Sequence, residues 1–169
     1  MSLIERIKQN EGFRAEPYLC SRGKVTIGYG TNLEANYGYI PSEVIAQAVK
    51  DGRLKGRALL EALELVGMEW TEQEAEKRLQ EHLDLLAGVL FSVSIPWAAE
   101  LCEARRGVLI EMAYQMGLAG LLGFKRFLAA AREGRWADAA REMLDSRWAR
   151  QTPERAERLA EIMEEGSEF

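Results

Sequence analysis

Between Glu11 and Asn32 an otherwise helical sequence changes period. The stretch reads EGFRAEPYLCSRGKVTIGYGTN. It follows a short segment with Leu3, Ile4 and Ile7 at helical spacing. It opens with Glu11 at the end of that helix, beside Gly12. Pro17, Gly23, Gly28 and Gly30 then punctuate short runs of β-formers, Val25-Thr26-Ile27 and Tyr29. A hairpin with its turn near Ser21–Lys24 brings Cys20 and Thr26 towards each other. A small β excursion inside a helical chain is a way to display polar groups from a rigid frame. Here it displays an acid at a helix end and a thiol–hydroxyl pair able to hold water.

The rest of the chain reads as helix with identifiable stops. Residues 3–11 form the first helix and residues 13–31 the hairpin or small sheet, with Tyr18 packing under it. Residues 32–40 are loop-like. Pro41-Ser42-Glu43 begins a short helix with Val44, Ile45 and Val49 on one face, ended by Asp51-Gly52. A further helix covers residues 57–66 and stops at Gly67. Thr71-Glu72-Gln73-Glu74 is a capping box, in which Thr71 accepts from the Glu74 amide and Glu74 reaches back. It opens a long helix carrying Leu79, Leu83, Leu86 and Leu90. Ile95-Pro96-Trp97 marks a break and a new start. Residues 97–116 are the most apolar helical stretch. Gly117, Gly120 and Gly123 set turns. Residues 124–133, 136–144 and 153–164 complete the helices, the last with Thr152 as N-cap and Pro153 at its first position.

Composition excludes several classes. At 169 residues the chain makes one domain or two small lobes sharing a long element. A composition of 47% hydrophobic and 29% charged residues is that of a folded globular chain rather than a disordered one. The net charge of -5 gives no footprint for a nucleic-acid partner. Cys20 and Cys102 form neither a disulfide framework nor a metal spacing, and His82 is the single histidine. No metal or other cofactor is therefore expected. Charges interrupt Met1-Ser2-Leu3-Ile4-Glu5-Arg6 at once, so no signal peptide or membrane anchor is read there. No apolar run approaches the roughly 18 residues of a membrane span.

The spacing of Glu11, eight residues, Cys20, five residues and Thr26, followed by Ile27-Gly28-Tyr29-Gly30, resembles the phage lysozyme family, glycoside hydrolase family 24. Its pattern is Glu, then Asp or Cys, then Thr. Tyr114-Gln115-Met116-Gly117 is similar to a second family block in the substrate cleft. The run from Ser146 to Ala156, SRWARQTPERA, resembles the family's C-terminal signature. The blocks occur in family order and cover most of the chain. The region from about 32 to 57 is longer than in the T-even type.

The resemblance implies an α+β, mostly helical, two-lobed lysozyme-like fold making one domain over residues 1–169. Its parts are an N-terminal lobe of about 13–70, a connecting helix of about 71–90 whose hinge motion opens a cleft, and a helical lobe of about 91–169. That last lobe also packs the helix 3–11. The implied activity is hydrolysis of the β-1,4 bond between N-acetylmuramic acid and N-acetylglucosamine in bacterial peptidoglycan, by inversion and without a cofactor. Glu11 is the implied general acid, in a position where the negative end of the helix dipole favours its protonated form. Cys20 and Thr26 handle water. Cys20 stands where the T-even type has Asp, so it acts as a thiolate base, as a water-orienting group, or as a direct nucleophile. Arg14, Arg22 and Lys24 are the cations able to lower its pKa.

Gln115 and Tyr114, with Thr31 and Asn32, are the implied substrate contacts. Arg155 supports Glu11. Trp136 and Trp148 read as core, and Glu16 and Glu34 as spare carboxylates near the site. The resemblance further implies a monomer held in the host cytoplasm until a holin releases it to the wall. The alternatives are a non-catalytic wall-binding or virion structural protein on the same fold, or a related glycan-cleaving enzyme. The acidic net charge sits oddly with an anionic wall. The cation-rich run from Lys125 to Arg158 is either a steering patch or a set of surface ion pairs.

Overall fold

The residues that change period fold as a three-stranded antiparallel sheet in the order β1 (Arg14–Leu19), β2 (Val25–Gly28), β3 (Thr31–Asn32). The computed structural model describes residues 1–167, and positions 168 and 169 of the expected domain lie outside that range. Leu19 faces Val25 and Tyr18 faces Thr26, after which the register shifts before Arg14 meets Gly28. Pro17, which has no N–H for the ladder, lies in that irregular stretch. The Ala15 carbonyl there accepts instead from the Trp70 N–H at 2.9 Å.

Every residue of β2 is buried. Two compact units are present, one of residues Ile4–His82 and the other of Met1–Leu3 with residues from Leu83 onward. In the first unit, α3 (Gly56–Leu65) packs Leu59, Leu60 and Leu63 into the core with β1 and β2. Gly28 has φ +65°, and a Cβ there would meet the Ala75 Cβ at 3.0 Å and the Trp70 ring at 3.1 Å. Glycine is thus required twice over, for the backbone angle and for the close approach of the helix behind it.

That helix is α4 (Glu72–Val89). Its capping box forms as the sequence predicts: Thr71 Oγ1 accepts from the Glu74 N–H at 3.2 Å, and Glu74 Oε2 accepts from the Thr71 N–H at 2.8 Å. The start of α4 is also fastened to α1 (Leu3–Glu11). Lys8 Nζ lies 2.7 Å from Glu76 and 3.6 Å from Glu72, over the Tyr29 ring, whose hydroxyl donates to Glu72 at 2.7 Å. The hydrogen bond to the Glu76 carboxylate chiefly, against the opposing effect of burial, raises the Lys8 pKa. Its charge persists wherever the carboxylates are ionised. Between sheet and α3 lie a 3-10 turn at Tyr37–Tyr39 and α2 (Glu43–Lys50). Val49 is buried and Ile45 half-buried, but Val44, expected on the same face, is 80% exposed. The face of this two-turn helix centres on the i, i+4 pair Ile45 and Val49, and Val44 is turned about 100° from its neighbour.

The second unit is helical. A five-residue π-helical turn at Leu90–Ser94 follows α4. The helix expected over 97–116 is interrupted: Pro96–Glu100 is a 3-10 turn, Leu101 and Cys102 are extended, and α5 (Glu103–Met116) follows. No Gly or Pro stands between Glu100 and Glu103, so no local stop signal marks the break. Arg106 Nη1 donates to the Ala99 carbonyl at 3.2 Å and satisfies an end that the break leaves open. Val108, Leu109 and Met112 of α5, within the stretch read as most apolar, are fully buried. Two helices arise where the sequence suggests turns: α6 (Leu118–Leu122) and α9 (Arg147–Gln151), each of five residues and too short for a periodic signal. Ser146 caps α9 by accepting from the Ala149 N–H at 3.0 Å. α7 (Lys125–Arg132), α8 (Trp136–Leu144) and α10 (Pro153–Glu165) match their expected spans closely. The packing of α10 on α8 buries Leu159, Ala160 and Met163 with Ala139, Ala140 and Met143.

Gly28→Ala is expected to destabilise the protein by about 2–4 kcal/mol, from backbone strain plus overpacking against Trp70 and Ala75. Gly38→Ala, where a Cβ meets nothing within 4 Å, is expected to stay within about 0.5 kcal/mol. Denaturant unfolding of the two variants checks the difference.

Candidate active site

The turn between β1 and β2 is closed by two backbone hydrogen bonds. The Cys20 N–H donates to the Lys24 carbonyl at 2.9 Å, and the Gly23 N–H donates to the Cys20 carbonyl at 2.8 Å. Gly23 takes φ +71° to make the reversal. Cys20 stands just past the end of β1 and is half-buried. Thr26, on β2, is only 4% exposed. Its hydroxyl, with one proton to give, lies 3.1 Å from the Lys24 carbonyl oxygen and within hydrogen-bonding reach of the Cys20 sulfur, which receives that proton when ionised. The hairpin therefore brings Cys20 and Thr26 together, as the sequence predicts.

The sulfur sits in a cradle of donors. Burial pushes the Cys20 thiol up. The N–H groups of Arg22 and Lys24, the Thr26 hydroxyl and the Arg22 charge together outweigh burial and hold it below the ordinary thiol value. Of the three cations considered for this role, Arg22 supplies the acting charge. The Arg14 guanidinium lies over the Tyr18 ring at 4.4 Å, and the Lys24 ammonium is bound by Glu34 at 2.8 Å.

Glu11 is the last residue of α1 and is exposed. The chain leaves the helix at Gly12, whose N–H donates to the Lys8 carbonyl at 3.0 Å with φ +68°. Tyr18 feels the charge of both this acid and the thiol. Burial raises the Tyr18 pKa, Arg14 opposes this, and the negative charges of Cys20 and Glu11 raise it further. The phenol therefore keeps its proton within electrostatic reach of both groups. Sequence reasoning gave Tyr18 a packing role only. The signal that could have found it is its place two residues before Cys20, opposite Thr26 in the ladder.

Thr31 and Asn32 are half-buried on β3, where Asn32 pairs with Thr26 and Thr31 with Ile27. The Asn32 Oδ1 accepts from the Glu34 N–H at 3.0 Å, which shapes the exit from the sheet. Glu16 is exposed on β1.

In the second unit Gln115 and Tyr114 are half-buried on the last turn of α5, and Arg155 is half-buried on α10. Gln115 Oε1 accepts from the Trp148 Nε1–H at 2.7 Å. Trp148 is buried, with the Phe124 ring edge-on to it at 6.3 Å, so it belongs to the core as expected. Trp136 is half-buried under the Arg105 guanidinium, 3.7 Å from its ring centre. In the cation-rich run, Arg126 pairs with Glu142, Arg135 with Glu133 and Asp138, and Arg141 with Asp138. Ion pairing accounts for these three, while Lys125, Arg132, Arg147 and Arg150 are exposed. Among the described residues no cluster of His, Cys, Asp and Glu could hold a metal ion. No described helix is long and apolar enough to cross a membrane.

The sequence profile of the phage lysozyme family matches residues 8–162. "Probable T4-type lysozyme 1" of Dictyostelium discoideum is 30% identical over 174 residues, covering 98% of this chain and 95% of the relative. "Probable T4-type lysozyme 2" of the same organism is 27% identical over 166 residues with the same coverage. The "Pre-baseplate central spike protein Gp5" of Enterobacteria phage T4 is 28% identical over 177 residues, covering 99% of this chain and 28% of the spike protein. With its acid-ended first helix, its thiol–hydroxyl hairpin and a match running nearly end to end, the chain belongs to the phage lysozyme family.

Proposed function

We propose that this protein is a muramidase, hydrolysing the β-1,4 bond between N-acetylmuramic acid and N-acetylglucosamine in bacterial peptidoglycan. Family membership supports a glycan-cleaving hydrolase. The observation that carries the finer reading is the Cys20–Thr26 pair, a thiol held below its ordinary pKa beside a nearly buried hydroxyl. A wall-binding module has no need of such a pair.

In the proposed reaction the Glu11 carboxyl gives its proton to the leaving glycosidic oxygen as the C–O bond breaks. A water held by the Thr26 hydroxyl and the Cys20 sulfur attacks the anomeric carbon from the opposite face. The Cys20 thiolate takes the proton released by that water. Tyr18, its pKa raised by burial and by the two nearby negative charges, keeps its own proton throughout. Gln115, Tyr114, Thr31 and Asn32 are the proposed sugar contacts, and Arg155 a supporting cation. A monomer acting in wall lysis, with a holin opening its way to the wall, is the setting that the family resemblance supports. The likeness to part of a phage spike protein favours one second reading, a lysozyme-fold unit that serves in a virion and binds walls. Wall binding by folded protein without turbidity loss would establish that alternative.

Glu11→Gln is expected to lower kcat on purified peptidoglycan by about 100-fold or more, the range for losing a general acid. Turbidity loss and counts of new reducing muramic ends measure it. The pH profile separates the roles of Cys20. A thiolate base works only when ionised, so activity rises with pH through a limb centred below the roughly 8.5 of an ordinary thiol. In Cys20→Asp that limb is expected several units lower, near the usual carboxylate value of about 4, with activity retained. Coincident limbs in the two proteins would show that Cys20 ionisation plays no part and that the sulfur only orients water.

A further inference from the structure

Glu34 takes no part in the reaction above, yet its side chain is only 10% exposed and both its oxygens are engaged. Oε1 accepts from the Val25 N–H and the Gly56 N–H, each at 3.2 Å, and Oε2 accepts from Lys24 Nζ at 2.8 Å. These bonds join three places. Lys24 and Val25 are the end of the Cys20 turn and the start of β2, Glu34 itself follows β3, and Gly56 is the first residue of α3. A Cβ on Gly56, which has φ +55°, would lie 3.7 Å from the Gly23 carbonyl oxygen, so α3 begins against the turn itself. Burial pushes the Glu34 carboxyl up, but Lys24 and the two amides prevail and hold it below the ordinary carboxylate range. With its oxygens so engaged, Glu34 is no substitute base.

We propose that Glu34 is a positioning residue, which clamps the Cys20–Lys24 turn to β3 and α3 so that the Arg22 and Lys24 amides and the Thr26 hydroxyl stay aimed at the Cys20 sulfur. A two-bond turn at the tip of a hairpin is otherwise loose. The Val25 amide is one residue from the Lys24 amide that serves the sulfur, and the Lys24 side chain is tied by the same carboxylate. The charged groups around the turn are Arg22, Lys24 and Glu34, with Lys55 at the start of α3, and Glu11 from α1 and Arg14 from β1 acting on Tyr18.

The sign of the effect distinguishes positioning from plain electrostatics. As a bare negative charge, Glu34 disfavours the thiolate and keeps Lys24 away from it, so removing Glu34 would make Cys20 more reactive. As a clamp, it maintains the donors that favour the thiolate, so removing it makes Cys20 less reactive. The effect on the thiol stands apart from the proposed muramidase reaction; only its catalytic consequence rests on that reading.

The test is the rate of iodoacetamide alkylation against pH, in a Cys102→Ala background so that Cys20 alone reacts. Glu34→Ala is expected to slow alkylation at pH 7 by about threefold or more, equivalent to a rise of about half a unit in the apparent thiol pKa. Glu34→Gln, whose amide oxygen can still accept from both backbone N–H groups, is expected to restore the rate to near that of the parent. On peptidoglycan, Glu34→Ala is expected to lose kcat with KM little changed. Equal or faster alkylation in Glu34→Ala would overturn the proposal. Should circular dichroism show Glu34→Ala unfolded, Glu34→Asp takes its place, one methylene short of spanning the same partners. It is held to the same criterion. Slower alkylation in a protein whose parent fails to clear walls would leave the clamp standing and remove the muramidase reading.

Discussion

Burial of β2 on both faces is the constraint on which the first unit depends. A strand of four buried residues needs a neighbour on each edge and apolar cover above and below. β1 and β3 supply the edges, and Leu59, Leu60 and Leu63 of α3 supply cover. Trp70 and Ala75 close on Gly28, the position without a side chain. Thr26 is carried on this strand, so its hydroxyl is held by the core and not by a surface loop. The chemistry at the turn thus inherits the rigidity of the packing beneath it.

A second tie sets the position of the acid. Tyr29, Glu72, Lys8 and Glu76 bind α1, the end of β2 and the start of α4 with short polar contacts. Glu11 lies one turn of helix beyond Lys8. The group proposed to give a proton and the pair proposed to hold water are therefore fixed to the same small body by different means, one by side-chain charge and the other by backbone pairing.

The sequence was informative wherever a local rule has one structural solution. Thr71-x-x-Glu74 forms its reciprocal cap, the turn residues around Gly23 make the hairpin, and Pro153 opens α10. It was uninformative where the deciding contact is distant or the element brief. α6 and α9 are shorter than the window in which a period can be read, and the Leu101–Cys102 break carries no Gly or Pro to mark it. At the candidate site, the spacing picked out Glu11, Cys20 and Thr26, and the hairpin accounts for the meeting of the last two. It did not say which cation would act on the thiol. That depends on Arg14 settling on Tyr18 and Lys24 on Glu34, contacts made by the folded chain. Glu34 itself looked like a spare acid, because its two amide donors come from residues 9 and 22 positions away.

The contact between Gln115 and Trp148 also fixes a chemical polarity. An indole N–H can only donate, so at 2.7 Å it must meet the amide oxygen and not the nitrogen. With the carbonyl turned inward to the core, the NH2 group is directed the other way. The amide, ambivalent by nature, becomes in this setting a donor. In the sugar-contact role proposed for Gln115 it would be matched to acceptors such as the carbonyl of an acetamido group.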